Sequence, residues 1–127
     1  MPKSNSVPQV FENYSLKEYN TFGIDVQAHY FTIISSLESY VALLKAGQYT
    51  HVPHLFLGGG SNILCTQDID ALVVKNEIKG FEVIQEDEDH VILRSGAGES
   101  WDDLVSYAVQ HHWSGIENLA LIPGTVG

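Results

Sequence analysis

Apolar and polar positions along this chain alternate with two different periods, and the switches between them outline its elements. His29 to Ile34 (HYFTII) is dense in β-branched and aromatic residues and predicts a strand. Leu37, Tyr40, Val41 and Leu44 then recur at helical spacing, which predicts a helix over about 36–46 with those four residues on its inner face. Ser35 followed three residues later by Glu38 reads as a capping box, and Gly47 as the stop. Pro53 to Leu57 (PHLFL) is a short, almost wholly apolar strand. Strand, helix and strand over about 30 residues make a βαβ unit, which implies a parallel pair joined by a right-handed crossover.

Ala71 to Val74 (ALVV) predicts another buried strand. Phe81 to Ile84 and Val91 to Leu93 flank an acidic run and predict an antiparallel hairpin. Ser100 caps a second helix, with Asp102 and Asp103 near its positive end. Trp101, Leu104, Val105, Ala108 and His112 share one face of that helix. Residues 1–17 read as a loose arm with a short helical turn. The organisation changes near Asn76 to Gly80, so 18–75 is expected to form a first, βαβ-type lobe and 76–127 part of a second. From Gly115 onward the chain is an irregular apolar loop that no strand or helix finishes, and the second lobe is expected to be incomplete.

Composition narrows the partners. At 127 residues, 44% hydrophobic and 10% aromatic, the chain can bury a core and is not of disordered type. Six basic against sixteen acidic residues give a net charge of −10, which repels a nucleic-acid backbone. No apolar run approaches the roughly 18 to 20 residues of a membrane helix, and the polar start carries no secretory h-region. The single Cys65 makes neither a disulfide nor a zinc motif, which suits a reducing cytoplasm. The Glu86-Asp87-Glu88-Asp89 run is expected to be a solvated turn rather than a metal site.

The feature richest in chemistry is Leu57-Gly58-Gly59-Gly60-Ser61-Asn62-Ile63-Leu64, directly after a buried strand. Three glycines remove every Cβ and admit positive φ, so successive N–H groups can form an anion-binding concavity. Ser61 and Asn62 add side-chain donors. The loop lacks the lysine of a P-loop and does not fit G-x-G-x-x-G. Alone it fits a structural turn equally well; its place at the carboxyl end of a βαβ strand favours phosphate. Gly96-Ala97-Gly98-Glu99-Ser100-Trp101 is a second glycine turn, fitting either a strand-to-helix turn with an N-cap or a close approach to a cofactor. Trp101 reads as core. His111 and His112 are adjacent near a helix end and make a poor metal pair.

Four segments in register resemble one family. Asn20-Thr21-Phe22-Gly23-Ile24, the Leu57 to Leu64 segment, Gly96 to Trp101, and Gly115-Ile116-Glu117-Asn118-Leu119-Ala120-Leu121-Ile122-Pro123-Gly124-Thr125-Val126-Gly127 resemble UDP-N-acetylenolpyruvoylglucosamine reductases in order and spacing. The resemblance runs from about Ser15 to the last residue. It implies an α+β fold, the FAD-binding fold of the vanillyl-alcohol-oxidase type, with FAD between two small lobes. It also implies that Gly58, Gly59, Gly60, Ser61 and Asn62 hold the FAD pyrophosphate through backbone N–H groups and the Ser61 and Asn62 side chains, with Leu57, Ile63 and Leu64 counted among the cofactor-binding residues. Ile122, Pro123, Gly124, Thr125 and Gly127 would border the flavin, while Asn20, Thr21 and Phe22 support the cofactor from the first lobe.

Enzymes of that family pass hydride from NADPH through FAD to the enolpyruvyl group of a UDP-sugar, in peptidoglycan precursor synthesis. By the same resemblance the family's serine proton donor, its substrate-flanking arginine and glutamate, and its substrate domain lie beyond Gly127. The chain alone is therefore expected to be inactive. Two rivals keep the nucleotide chemistry: another flavin oxidoreductase of the same fold, and a non-catalytic nucleotide-binding module. A third is a structural domain with incidental glycine turns.

Overall fold

A computed structural model of the protein describes residues 6–127. The first lobe is a four-stranded sheet in the order β1-β2-β4-β3, formed by Val10–Ser15 (β1), Gln27–Ile34 (β2), Ile69–Asn76 (β4) and His54–Leu57 (β3). β1 runs antiparallel to β2, whereas β2, β4 and β3 run parallel, with Phe31 opposite Val73 and Leu55 opposite Val73. The helix α1, Leu37–Ala46, lies between β2 and β3 in sequence.

Both faces of this sheet are covered. On one, Phe31, Val73 and Leu57 are buried with Leu16, Val26 and Cys65; on the other, Ile34, Leu72 and Val74 are buried with Leu43 of α1. Successive side chains of a strand point to opposite faces. That is why the central β4 reads as an unbroken apolar run, Ala71 to Val74, all buried.

The second lobe is a separate hairpin, Phe81–Glu86 (β5) with Val91–Ser95 (β6), followed by α2, Trp101–Gln110. Leu104, Val105 and Ala108 are the buried stripe of α2, and the Phe81 and Tyr107 rings meet at 4.6 Å. Ser100 caps α2 as expected, its hydroxyl accepting from the N–H of Asp103. The acidic run forms the hairpin turn: Asp87 accepts the N–H groups of Asp89 and His90.

Several expectations change. The arm is not loose over its described part, because residues 10–15 are the antiparallel edge strand β1 and Lys17–Tyr19 is a 3-10 turn; residues 1–5 lie outside the described residues. The strands flanking α1 are parallel but not adjacent, since β4 inserts between them. The α1 cap is Ser36, not Ser35: its hydroxyl accepts from Ser39 N, and Gly47 ends the helix with φ +77°. The inner face falls on Ser39 and Leu43, leaving Tyr40 and Val41 half-buried and Leu37 and Leu44 exposed. His112 falls past the end of α2, exposed and with φ +60°, although it lines one hollow with Trp101, Leu104 and Ala108.

Candidate functional site

The two glycine turns and the residues from Pro123 onward meet at one place. β3 delivers Leu57, buried in the core, and the chain then leaves the sheet as the Gly58–Asn62 loop. From the second lobe, β6 leads into the Gly96–Ser100 turn. Between them runs the segment 124–127. It is tied to the second turn by Trp101 N–H to Gly124 O, Val126 N–H to Glu99 O and Gly127 N–H to Ala97 O. It is tied to the first loop by Thr125, whose Oγ1 accepts the Gly59 N–H at 3.1 Å and donates to Gly127 O at 2.8 Å.

Each glycine has its own reason to be there. Gly60 alone of the triplet has positive φ, +67°, and a Cβ on it would stand 1.9 Å from Tyr19 O. A Cβ on Gly58 would meet Thr125 Oγ1 at 2.4 Å, and one on Gly59 would approach the Gly124 Cα to 3.3 Å. The left-handed position therefore falls on Gly60, and the crowding at Gly58 and Gly59 comes from the 124–127 segment. Gly96 and Gly98 are packed against the backbone of 77–79, with the nearest atoms 2.3 Å and 2.6 Å from a would-be Cβ. That close packing is within the protein, so the second turn is accounted for as a strand-to-helix connection.

A cavity of about 500 Å³ opens where the loops converge, lined by Gly59, Ser61, Gly98, Ser100, Gly124 and Thr125 together with Lys75, Glu77 and Lys79. A second hollow of about 300 Å³ adjoins it over Phe56 to Ile63, Pro123 and Gly127. Among the described residues, none accepts a hydrogen bond from the N–H of Gly60, Ser61 or Asn62. Adjacent N–H groups without internal partners, on a loop free of Cβ atoms, are what an anion such as a phosphate requires. The residues present thus fit the diphosphate of a dinucleotide.

The remaining expected residues are spread around this centre. Asn20 is buried and turned inward: its amide donates to Leu16 O and Ile24 O and accepts from Ile24 N–H. Thr21 braces the glycine loop, donating from its N–H to Gly60 O at 3.0 Å. Phe22, Leu64 and Ile122 are exposed, and Ile63 packs against the first core. Tyr19, whose carbonyl walls the loop, has its phenol pushed above the usual range by hydrogen bonding with Tyr14 and by burial, so it stays neutral. His111 Nδ1 lies 2.8 Å from Tyr107 O at the end of α2.

Lys75 and Lys79 escaped the sequence reading. They sit on β4 and just after it, in no recognised motif; the parallel register of β4 beside β3 brings Lys75 opposite Leu57, and the packing of 77–79 against the second turn brings Lys79 to Gly98. Lys75 Nζ donates to Gly58 O, and Lys79 Nζ to Gly98 O at 2.6 Å.

Comparison with known proteins agrees with this geometry. A family described as an FAD binding domain matches residues 28–127. UDP-N-acetylenolpyruvoylglucosamine reductase of Bacteroides fragilis is 47% identical over 116 residues, 91% of this chain and 35% of its own. The enzyme of that name from Burkholderia multivorans is 42% identical over 127 residues, all of this chain and 36% of its own. The crystal structure of UDP-N-acetylenolpyruvylglucosamine reductase from Thermus caldophilus superposes with a TM-score of 0.61 at 28% identity, covering 94% of this chain and 40% of that one. The chain thus spans about a third of the length of the curated relatives it matches. With the match running through most of its residues, the chain belongs to the FAD-binding domain family, and its cofactor is FAD.

Proposed function

We propose that this chain is the cofactor-binding part of a UDP-N-acetylenolpyruvoylglucosamine reductase and that the Gly58–Asn62 loop holds the FAD diphosphate. The observation that carries the assignment is the run of N–H groups at Gly60, Ser61 and Asn62, unpartnered among the described residues and facing a cavity built by both lobes. The identity to reductases of that name over the whole chain supports the reaction.

In this reading the loop N–H groups and the Ser61 and Asn62 side chains bind the diphosphate oxygens. Gly124 and Thr125 fix the far wall, Ile122 and Pro123 border the flavin, and Thr21 keeps the loop from drifting off the first lobe. Asn20 acts at one remove, holding the Leu16–Ile24 turn that presents Thr21. Leu57 and Ile63 anchor the loop ends in the core, leaving Phe22 and Leu64 as exposed apolar surface on the same lobe. When bound, FAD would supply the carrier that takes hydride from NADPH and passes it to the enolpyruvyl group of the UDP-sugar. The cytoplasm, where the free, buried Cys65 is stable, is the compartment this reaction implies.

Titrating the chain with FAD and following flavin fluorescence tests the reading. Binding to the native chain is expected, as is its loss in Gly59→Val, because a branched Cβ enters the 3.3 Å approach to Gly124 and fills the cradle. Ser61→Ala is expected to weaken binding by about 1 to 3 kcal/mol, one hydrogen bond to a charged group. Undiminished FAD affinity in Gly59→Val overturns the loop assignment. NADPH is not expected to be consumed by this chain with UDP-N-acetylglucosamine enolpyruvate, since of the cavity hydroxyls Ser100 and Thr125 are held in structural hydrogen bonds and Ser61 is assigned to the diphosphate.

A further inference from the structure

The chain has six basic residues, yet two of them, Lys75 and Lys79, line the one cavity where both glycine turns meet. Each donates to a carbonyl of a different turn: Lys75 Nζ to Gly58 O, Lys79 Nζ to Gly98 O. Fixing a carbonyl toward a lysine fixes the orientation of the peptide plane that carries it, and so the direction of the N–H beyond it. An ammonium has three donors, so one bond to a carbonyl leaves others able to reach an anion in the cavity. Two carboxylates share this ground. Glu99 pairs with Lys79 at 3.6 Å through one oxygen and accepts the Gly80 N–H at 2.6 Å through the other. Glu77 lines the same cavity, which leaves Lys75 without a carboxylate partner among the described residues. A net charge of −10 otherwise opposes an anionic ligand, so a cation at the point of contact matters more here than in a neutral protein.

We propose that Lys75 and Lys79 are positioning residues for the anionic part of the cofactor: they set the peptide orientation of the two turns and supply the positive charge that offsets the diphosphate. The assignment rests on the reading of this cavity as the diphosphate site, and it adds residues that lie outside both glycine turns. It separates the two ends of the ligand. The lysines act on the phosphates and leave the affinity for the flavin ring alone.

Comparing FAD with riboflavin, which has the ring and no phosphate, tests this on the intact 127-residue chain. Lys75→Met and Lys79→Met are each expected to lower FAD affinity on the order of tenfold, as for a charge-assisted hydrogen bond. Riboflavin affinity should stay unchanged, and the fall of FAD affinity with added salt should become shallower than in the native chain. Lys75→Arg and Lys79→Arg should recover much of the loss. A variant that fails to fold would lose riboflavin and FAD alike, and the arginine variants then carry the test through their salt dependence. A native chain that prefers FAD, with both methionine variants keeping that preference in full, overturns this proposal and leaves the site reading standing. A native chain that binds FAD no more tightly than riboflavin overturns both.

Discussion

Asn20 shows how much a residue's chemistry depends on which way it faces. Its resemblance to a family position implies cofactor support, yet all its hydrogen-bonding capacity in use is spent inside the protein, on Leu16 O, Ile24 O and Ile24 N–H. Removing the amide leaves three backbone groups without that partner in a part-buried turn. Asn20→Ala should therefore destabilise the chain by about 2 to 4 kcal/mol. Asn20→Asp should be at least as damaging, because a carboxylate would face two carbonyls where the NH₂ now donates. Urea unfolding with an unchanged slope is the measurement; a loss under about 0.5 kcal/mol would refute the structural role. At this scale the sequence made the glycine loop legible as a candidate phosphate loop, because the three adjacent glycines follow directly on a buried strand. It did not reveal which glycine carries positive φ. That depends on Tyr19 pressing on Gly60, a contact between segments about 40 residues apart that no local pattern encodes.

For single elements, periodicity located α1, α2 and the hairpin and misjudged one register. Leu37, Val41 and Leu44 form an apolar series as regular as the one actually buried, and the choice between them is made by packing against the sheet rather than by the local pattern. With Ser36 as N-cap, Leu43 turns inward against Ile34, Leu72 and Val74. Leu43→Ala should cost about 2 to 4 kcal/mol, as for a fully buried leucine, while Leu37→Ala, at 64% exposure, should stay within about 0.5 kcal/mol. Thermal melts of the two variants compare them directly; equal losses would restore the other face.

β1 was missed because VFENYS mixes polar and apolar positions, as befits an edge strand covered on one side. The insertion of β4 between β2 and β3 was illegible for another reason: strand order is decided by long-range pairing. The hairpin turn adds a pH dependence. The N–H groups of Asp89 and His90 hold the Asp87 carboxyl below its ordinary value. A depressed folded value means the turn gains from the charged form above the ordinary carboxylate range and loses that gain as pH falls through it. Protection of the Asp89 and His90 amides, taken relative to the intrinsic exchange rate at each pH, should fall below about pH 4 while α1 stays protected; a protection at the turn that ignores pH would contradict the assignment.

Across the whole molecule, two lobes with separate sheets meet at the proposed cofactor site, and what joins them there is a segment with no regular structure. The motif in 115–127 was legible by resemblance, but its mechanical role was not, because an irregular loop has no period to read. Backbone bonds to Ala97, Glu99 and Trp101 attach it to the second lobe, and Thr125 Oγ1 reaches across to Gly59 of the first. Thr125 also fills the space that a Cβ on Gly58 would occupy, so the segment fits the loop only with glycine at position 58. Thr125→Val keeps the shape and removes both hydrogen bonds. The bonds are solvent-exposed, so global stability should fall by no more than about 1 kcal/mol. FAD affinity should fall further, on the order of tenfold, because the Gly59 peptide is no longer held against the second lobe and the N–H groups beyond it lose their common aim. Thr125→Ser, which keeps the hydroxyl, should bind almost as the native chain does. Parallel urea unfolding and FAD titration separate the two effects. If Thr125→Val binds FAD as tightly as the native chain, the lobes are held in register by something other than this hydroxyl.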